Sequence, residues 1–164
     1  MIATANHSHI LEQIKNIPDP EIPVITIADL GILREVAFKD DEVEVFITPT
    51  YSGCPAMMAI EKQIIQVLKD EGFSKVKVHT VYSPVWTTDW LTAEAKEKLR
   101  AYGIAPPEIS TSDKNALSLH PKKITCPRCG SSNSTRVSEF GSTACKALYK
   151  CNDCLEPFDY FKCH

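Results

Sequence analysis

Val43-Glu44-Val45-Phe46-Ile47-Thr48-Pro49-Thr50-Tyr51-Ser52-Gly53-Cys54-Pro55 decides how the first two thirds of the chain folds. Its first six residues alternate with a period of two, the mark of a strand with one buried face. Thr48 to Gly53 forms a loop. Beyond Pro55, the residues Met57, Ile60, Ile64, Val67 and Leu68 recur at helical spacing and stop at Gly72, so a strand, a loop and an amphipathic helix follow one another.

Upstream, the Asp29-Leu30-Gly31 turn feeds a strand expected over 32–38. Lys39-Asp40-Asp41-Glu42 reverses the chain to make a hairpin. Downstream, 73–81 reads as a third strand. Near the start, Ser8 precedes Ile10, Leu11, Ile14 and Ile17, which predicts a helix over 8–17 ended by Pro18. Asp19-Pro20-Glu21-Ile22-Pro23 cannot be helical and is expected to be an extended, ordered loop. After the aromatic segment Ser83 to Trp90, a helix is expected over 92–102 with a solvated charged face. Met57 and Met58 read as core filler.

A second pattern stands near the other terminus. Cys126-Pro127-Arg128-Cys129 and Cys151-Asn152-Asp153-Cys154 are two thiol pairs, each with the spacing of a metal-binding knuckle. Between them 135–138 and 147–150 look like strands around a turn at Gly141-Ser142-Thr143, so the segment reads as a zinc ribbon. Its expected ligands are Cys126, Cys129, Cys151 and Cys154 around a structural Zn2+. Cys145, Cys163 and His164 are also competent donors, which leaves open an iron-sulfur cluster, since that too takes four thiolates. So small a module cannot be stable through apolar burial alone, whereas structural zinc contributes on the order of 10 kcal/mol.

The expected fold class is therefore α+β: a small α/β domain with three or so strands and two or three helices, then a β-rich zinc ribbon. The boundaries drawn are 1–103 for the first domain, 104–119 for a linker marked by Pro106-Pro107 and Ser110-Thr111-Ser112, and 120–164 for the ribbon.

The 164 residues carry 18 basic and 21 acidic side chains, a net charge of −3. Residues 1–119 hold 11 basic and 17 acidic groups, and 120–164 hold 7 and 4. A basic tail invites a nucleic-acid reading, but four thiolates on one divalent ion take its charge from +3 to about +1. Nucleic acid is not the expected partner. The first residues form no signal peptide and no apolar run reaches a membrane span, so a cytoplasmic protein with reduced cysteines is expected.

Cys54 is the candidate reactive group. It follows a glycine and precedes a proline suited to the first turn of a helix, so its sulfur falls at the amino end of that helix. There the helix dipole favours a thiolate; the alternative is a buried, inert thiol. A thioredoxin-like site would need a cysteine where Met57 stands, and a cysteine-phosphatase loop an arginine where Ile60 stands. A pairing with His79 lacks an oxyanion-hole motif.

Three segments converge on a family: Asp19-Pro20-Glu21-Ile22-Pro23 with Asp29-Leu30-Gly31, then Thr48 to Pro55, then Trp86-Thr87-Thr88-Asp89-Trp90. Together they resemble the SufT-type iron-sulfur assembly domain. With the four-cysteine ribbon ending in Phe158 to His164, the whole is similar to the D-protein family of the bacterial phenylacetate-degradation operon. The resemblance implies that Asp19, Glu21, Asp29, Thr50 and Cys54 gather at one end of the first domain, and that Cys54 handles iron or an iron-sulfur cluster transiently. It further implies an accessory role in maturing the phenylacetyl-CoA oxygenase or its iron-sulfur reductase, with self-association left open. Catalysis by the chain itself is not expected. It has no Glu-x-x-His pair for a diiron site and no flavin or nicotinamide fingerprint. The alternative function is a structural component of the oxygenase complex.

Overall fold

A computed structural model of the chain describes residues 7–40, 42–108 and 123–162. Its internal contacts divide the chain after Trp86 into two compact units.

The first unit is a three-stranded sheet covered on one face by two helices. Strand β1 (Leu33–Lys39) pairs antiparallel with β2 (Glu42–Ile47), and β2 pairs in parallel with β3 (Lys75–Thr80), giving the order β1-β2-β3. A parallel pair needs a crossover, and helix α2 (Ala56–Asp70) supplies it. The alternation expected in β2 is real: Val43, Val45 and Ile47 are fully buried, while Glu42, Glu44 and Phe46 face the other way. Ile60, Ile64 and Leu68 of α2 and Ile10 and Ile14 of α1 (His7–Lys15) complete the core, all at or near zero exposure. On the opposite face of the sheet Lys39 bonds Glu44 at 2.8 Å, Lys77 pairs with Glu42, and Phe46 stacks on His79.

The second unit holds helix α3 (Ala93–Tyr102) and a four-stranded sheet of order β4-β7-β6-β5. Thr92 caps α3 by accepting from the Ala95 amide at 3.0 Å. β5 (Ser134–Ser138) and β6 (Lys146–Cys151) form the expected hairpin. Two further strands lack a strong sequence signal. β7 (Pro157–Phe161) begins on a proline, which is harmless only at a strand's first position. β4 (Ile104–Ala105) is two residues long and pairs in parallel with Asp159 and Tyr160. The division expected at 103–104 therefore differs from the compact units: Ile104 and Ala105, assigned to a linker, are buried strand residues of the ribbon's sheet. The Pro106-Pro107 signal begins only after them. The rest of that linker from 109 onward, with Cys163 and His164, lies outside the described residues.

Two local expectations also change. The 19–23 loop is ordered but turned rather than extended, because the Asp19 carboxylate accepts from the amides of Glu21 (2.9 Å) and Ile22 (2.8 Å) and folds the chain back. Met57 is half-buried and Met58 is 68% exposed, so Met58 is no core filler. Among the described residues no helix is long and apolar enough to cross a membrane.

Candidate functional site

Cys54 sits where the sequence places it, two residues ahead of α2. Gly53 at φ +81° turns the chain, and the Cys54 amide closes that turn on the Tyr51 carbonyl at 3.3 Å. No side chain caps the helix. The Cys54 sulfur instead accepts from the free Ala56 amide, and the Tyr51 hydroxyl donates to it as well. Both bonds favour a thiolate.

They do not prevail. Half-burial is the largest influence on this thiol and pushes its pKa above the ordinary value, with the Glu21 and Asp19 carboxylates adding to the rise. The surroundings therefore shift this group toward the thiol, against the direction that the helix end alone implies. Nor is it an inert buried residue, since its surface is partly open. The consequence is measurable: alkylation of Cys54 by iodoacetamide, followed peptide by peptide in the zinc-loaded protein, is expected to keep rising past pH 9. A plateau near neutrality would show that the two donors outweigh burial and the carboxylates.

The carboxylates expected beside the thiol divide into two sets. Asp19 and Glu21 both act electrostatically on Cys54, although Asp19, 6% exposed, also holds its own loop together. Asp29 closes a different turn: its carboxylate accepts from the Thr26 amide, and the Thr26 hydroxyl accepts from the Asp29 amide, each at 3.1 Å. Thr50 is half-buried in the 48–53 loop, yet its neighbour Tyr51 is the residue that bonds the sulfur. An aromatic hydroxyl three positions before a cysteine was the available signal for Tyr51.

The second cluster lies in the ribbon. The sulfurs of Cys126, Cys129, Cys151 and Cys154 all lie within 4.8 Å of one another. Cys126 stands 3.8 Å from Cys154, and Cys129 3.6 Å from Cys151. A tetrahedral ion with metal–sulfur bonds of about 2.3 Å sets its ligands about 3.8 Å apart, so the donor set fits a four-thiolate metal. Each knuckle turns on a residue of positive φ, Gly130 in the first and Leu155 in the second. The Cys154 amide donates to Cys151 and is the largest influence lowering that thiol to about 7, while Cys154 itself, against the Glu156 amide, is pushed up to about 12 by burial and the neighbouring sulfurs. Ser131 and Asn133, from the first knuckle's side, both donate to Asp153 between the second pair of cysteines. Cys145 lies outside the cluster, buried, with the Thr143 hydroxyl 3.1 Å from its sulfur.

Comparison with known proteins follows the same two parts. Residues 7–80 match the family described as iron-sulfur cluster assembly protein, and 110–162 match the PaaD zinc beta ribbon domain. The putative D subunit of the 1,2-phenylacetyl-CoA epoxidase of Escherichia coli (strain K12) is 49% identical over 92% of this chain and 88% of its own length. This chain belongs to the D-protein family of the phenylacetyl-CoA epoxidases. Outside the ribbon the likeness reaches further than that family. A Porphyromonas gingivalis protein named Fe-S protein maturation auxiliary factor is 34% identical over 55% of this chain and 87% of its own length. The crystal structure of a domain of unknown function, DUF59, from Bacillus anthracis superposes with a TM-score of 0.50 at 25% identity, covering 56% of this chain and 89% of that one. The family is thus an iron-sulfur assembly domain joined to a zinc ribbon.

Proposed function

We propose that this chain is a non-catalytic accessory factor that supplies iron, or an iron-sulfur cluster, to the phenylacetyl-CoA oxygenase or its iron-sulfur reductase, with Cys54 as the exchange ligand. The observation that carries the reading is a half-buried thiol at the head of α2 beside two carboxylates. Glu21 and Asp19, which add to the effect of burial on the thiol in the absence of metal, attract a cation. When iron arrives, the S–H bond breaks, a sulfur–iron bond forms and the proton leaves to solvent. One thiol with two carboxylates leaves coordination positions for the recipient's ligands, so the metal is released readily. The four ribbon cysteines hold a zinc ion in a closed site that takes no part in transfer.

Anaerobic iron and sulfide analysis, with activation of the iron-free client, tests this on wild type and Cys54→Ser. Iron uptake and client activation are expected to fall at least about tenfold, because a hydroxyl is no soft donor. Full activation of the client by the serine variant would refute the role of the thiol. The raised pKa of Cys54 favours the second reading in that event, a structural component of the oxygenase complex that never touches iron.

A further inference from the structure

Four large apolar side chains are exposed among the described residues of the first unit: Val24 (37%), Met58 (68%), Tyr82 (61%) and Val85 (72%). A surface leucine or valine standing alone is ordinary, but these four are not scattered. Val24 belongs to the 19–25 loop, whose Asp19 and Glu21 act on Cys54. Met58 is in the first turn of α2, beside Cys54. Tyr82 and Val85 directly follow β3.

A chain of hydrogen bonds ties these segments to the end of the sheet where β2 and β3 finish. The Thr48 amide bonds the Ile32 carbonyl, that of Val81 the Ile47 carbonyl, and that of Ile32 the Ile27 carbonyl. The Trp86 indole bonds the Leu30 carbonyl. At the opposite end stand the hairpin residues Lys39 and Asp40 and the α2 exit with Asp70 and Glu71, and none of the four exposed apolar side chains.

Charge is arranged just as unevenly. The segments 16–32, 48–60 and 80–86 contain three carboxylates, Asp19, Glu21 and Asp29, and no lysine, arginine or histidine. Arg34 and Glu35, at the head of β1 opposite Ile47 and Phe46, stand at the same end with opposite charges, so the end of the unit that carries Cys54 is apolar with a net negative charge.

We propose that this rim is the docking surface for a client protein that presents an apolar segment with net positive charge, brought against Cys54. This rests on the function proposed above and deepens it by describing the recipient's surface. Charge decides against a second copy of the chain as occupant. Two such rims would set Glu21 and Asp29 of one copy against those of the other, with the buried Asp19 beneath each, and like charges brought together across an interface disfavour association. A basic partner gains where a copy loses. The apolar contacts give affinity, and the charges give orientation and salt dependence.

The test uses the full, zinc-loaded chain, with the purified iron-free oxygenase and the iron-free reductase as separate probes, and binding is followed by sedimentation velocity at low and raised salt. Wild type is expected to bind one of them, more weakly as salt rises. The combined Met58→Ser, Tyr82→Ser, Val85→Ser variant is expected to lose at least about tenfold in affinity, the scale of lost central apolar contacts. Its iron uptake and circular dichroism should match wild type. Val85→Ser alone, at the most exposed of the four positions, should show a smaller loss in the same direction. Unchanged affinity in the combined variant overturns the proposal, as does failure of wild type to bind either probe. A wild-type dimer that the combined variant dissolves assigns the rim to a second copy instead and overturns it too. Iron uptake by Cys54→Ser reads the thiol separately, so a failed rim and a failed exchange ligand give different results.

Discussion

Chelation of the ribbon metal is expected to unfold β5, β6 and β7 while β1, β2 and β3 stay folded. One buried cluster of the ribbon comprises Ala105, Ile124, Cys126, Ala147, Tyr149, Cys151 and Phe158, and two of these seven, Cys126 and Cys151, belong to the four-cysteine cluster. Without the ion, four sulfurs lie within 4.8 Å of one another with nothing to neutralise them as thiolates. What remains is the aromatic set of Tyr149, Phe158, Tyr160 and Phe161 with a few buried alkyl groups, too little to hold so small a sheet without its ion. Structural zinc contributes on the order of 10 kcal/mol in modules of this size, more than the ribbon's other contacts supply. Amide NMR during titration with a strong chelator should show the ribbon signals collapsing toward random-coil positions at one equivalent of metal removed. Cys151→Ser should behave as a partly chelated protein, because it removes the fully buried thiol of the four-cysteine cluster at the end of β6. Ribbon signals that survive complete chelation would show that the strands hold without metal.

The second large effect is expected from Trp86→Ala. Trp86 is 1% exposed, the largest fully buried side chain of the first unit, and its indole donates to the Leu30 carbonyl at 2.7 Å. Truncation leaves a cavity worth about 3–5 kcal/mol and a buried carbonyl without a partner. That is a large part of the stability of a small domain, so denaturant unfolding should shift sharply toward lower urea. Trp86→Phe keeps most of the volume and isolates the lost hydrogen bond, with about 1–3 kcal/mol expected for the orphaned acceptor. Because Leu30 adjoins the segments that meet at the Cys54 end, the alanine variant is also expected to make Cys54 react faster with iodoacetamide at fixed pH. A loss of less than about 1 kcal/mol in Trp86→Ala would mean that the cavity collapses and Trp86 does not anchor this end.

Much of this could be read from local pattern. The strand from Val43, the helix through Ile60, Ile64 and Leu68, the helix over 92–102 and the two knuckles all fall within a residue or two of expectation, because each depends on neighbours a few positions away. Strands β4 and β7 were not legible. Ile104-Ala105 is too short to show a period, and it becomes a strand only because Asp159 and Tyr160, more than fifty positions later, offer it an edge. Met58 was misjudged for a different reason. Ile60 and Ile64 lie two and six positions beyond Met58, which puts Met58 on the opposite face of α2, while Ala56 at the head of the same helix is buried.

Cys54 shows the same division at a single atom. Its place at the head of α2 and the amide aimed at its sulfur follow from Gly53, Pro55 and the helix behind them, which one stretch of chain determines by itself. Whether that sulfur carries a proton was decided in three dimensions. Asp19 and Glu21, some thirty residues away in sequence, are brought within electrostatic reach of a half-buried thiol, and burial with two negative charges outweighs the two donors. Backbone geometry depends on neighbours along the chain, whereas charge and solvent act through space, and only the folded molecule sets those distances.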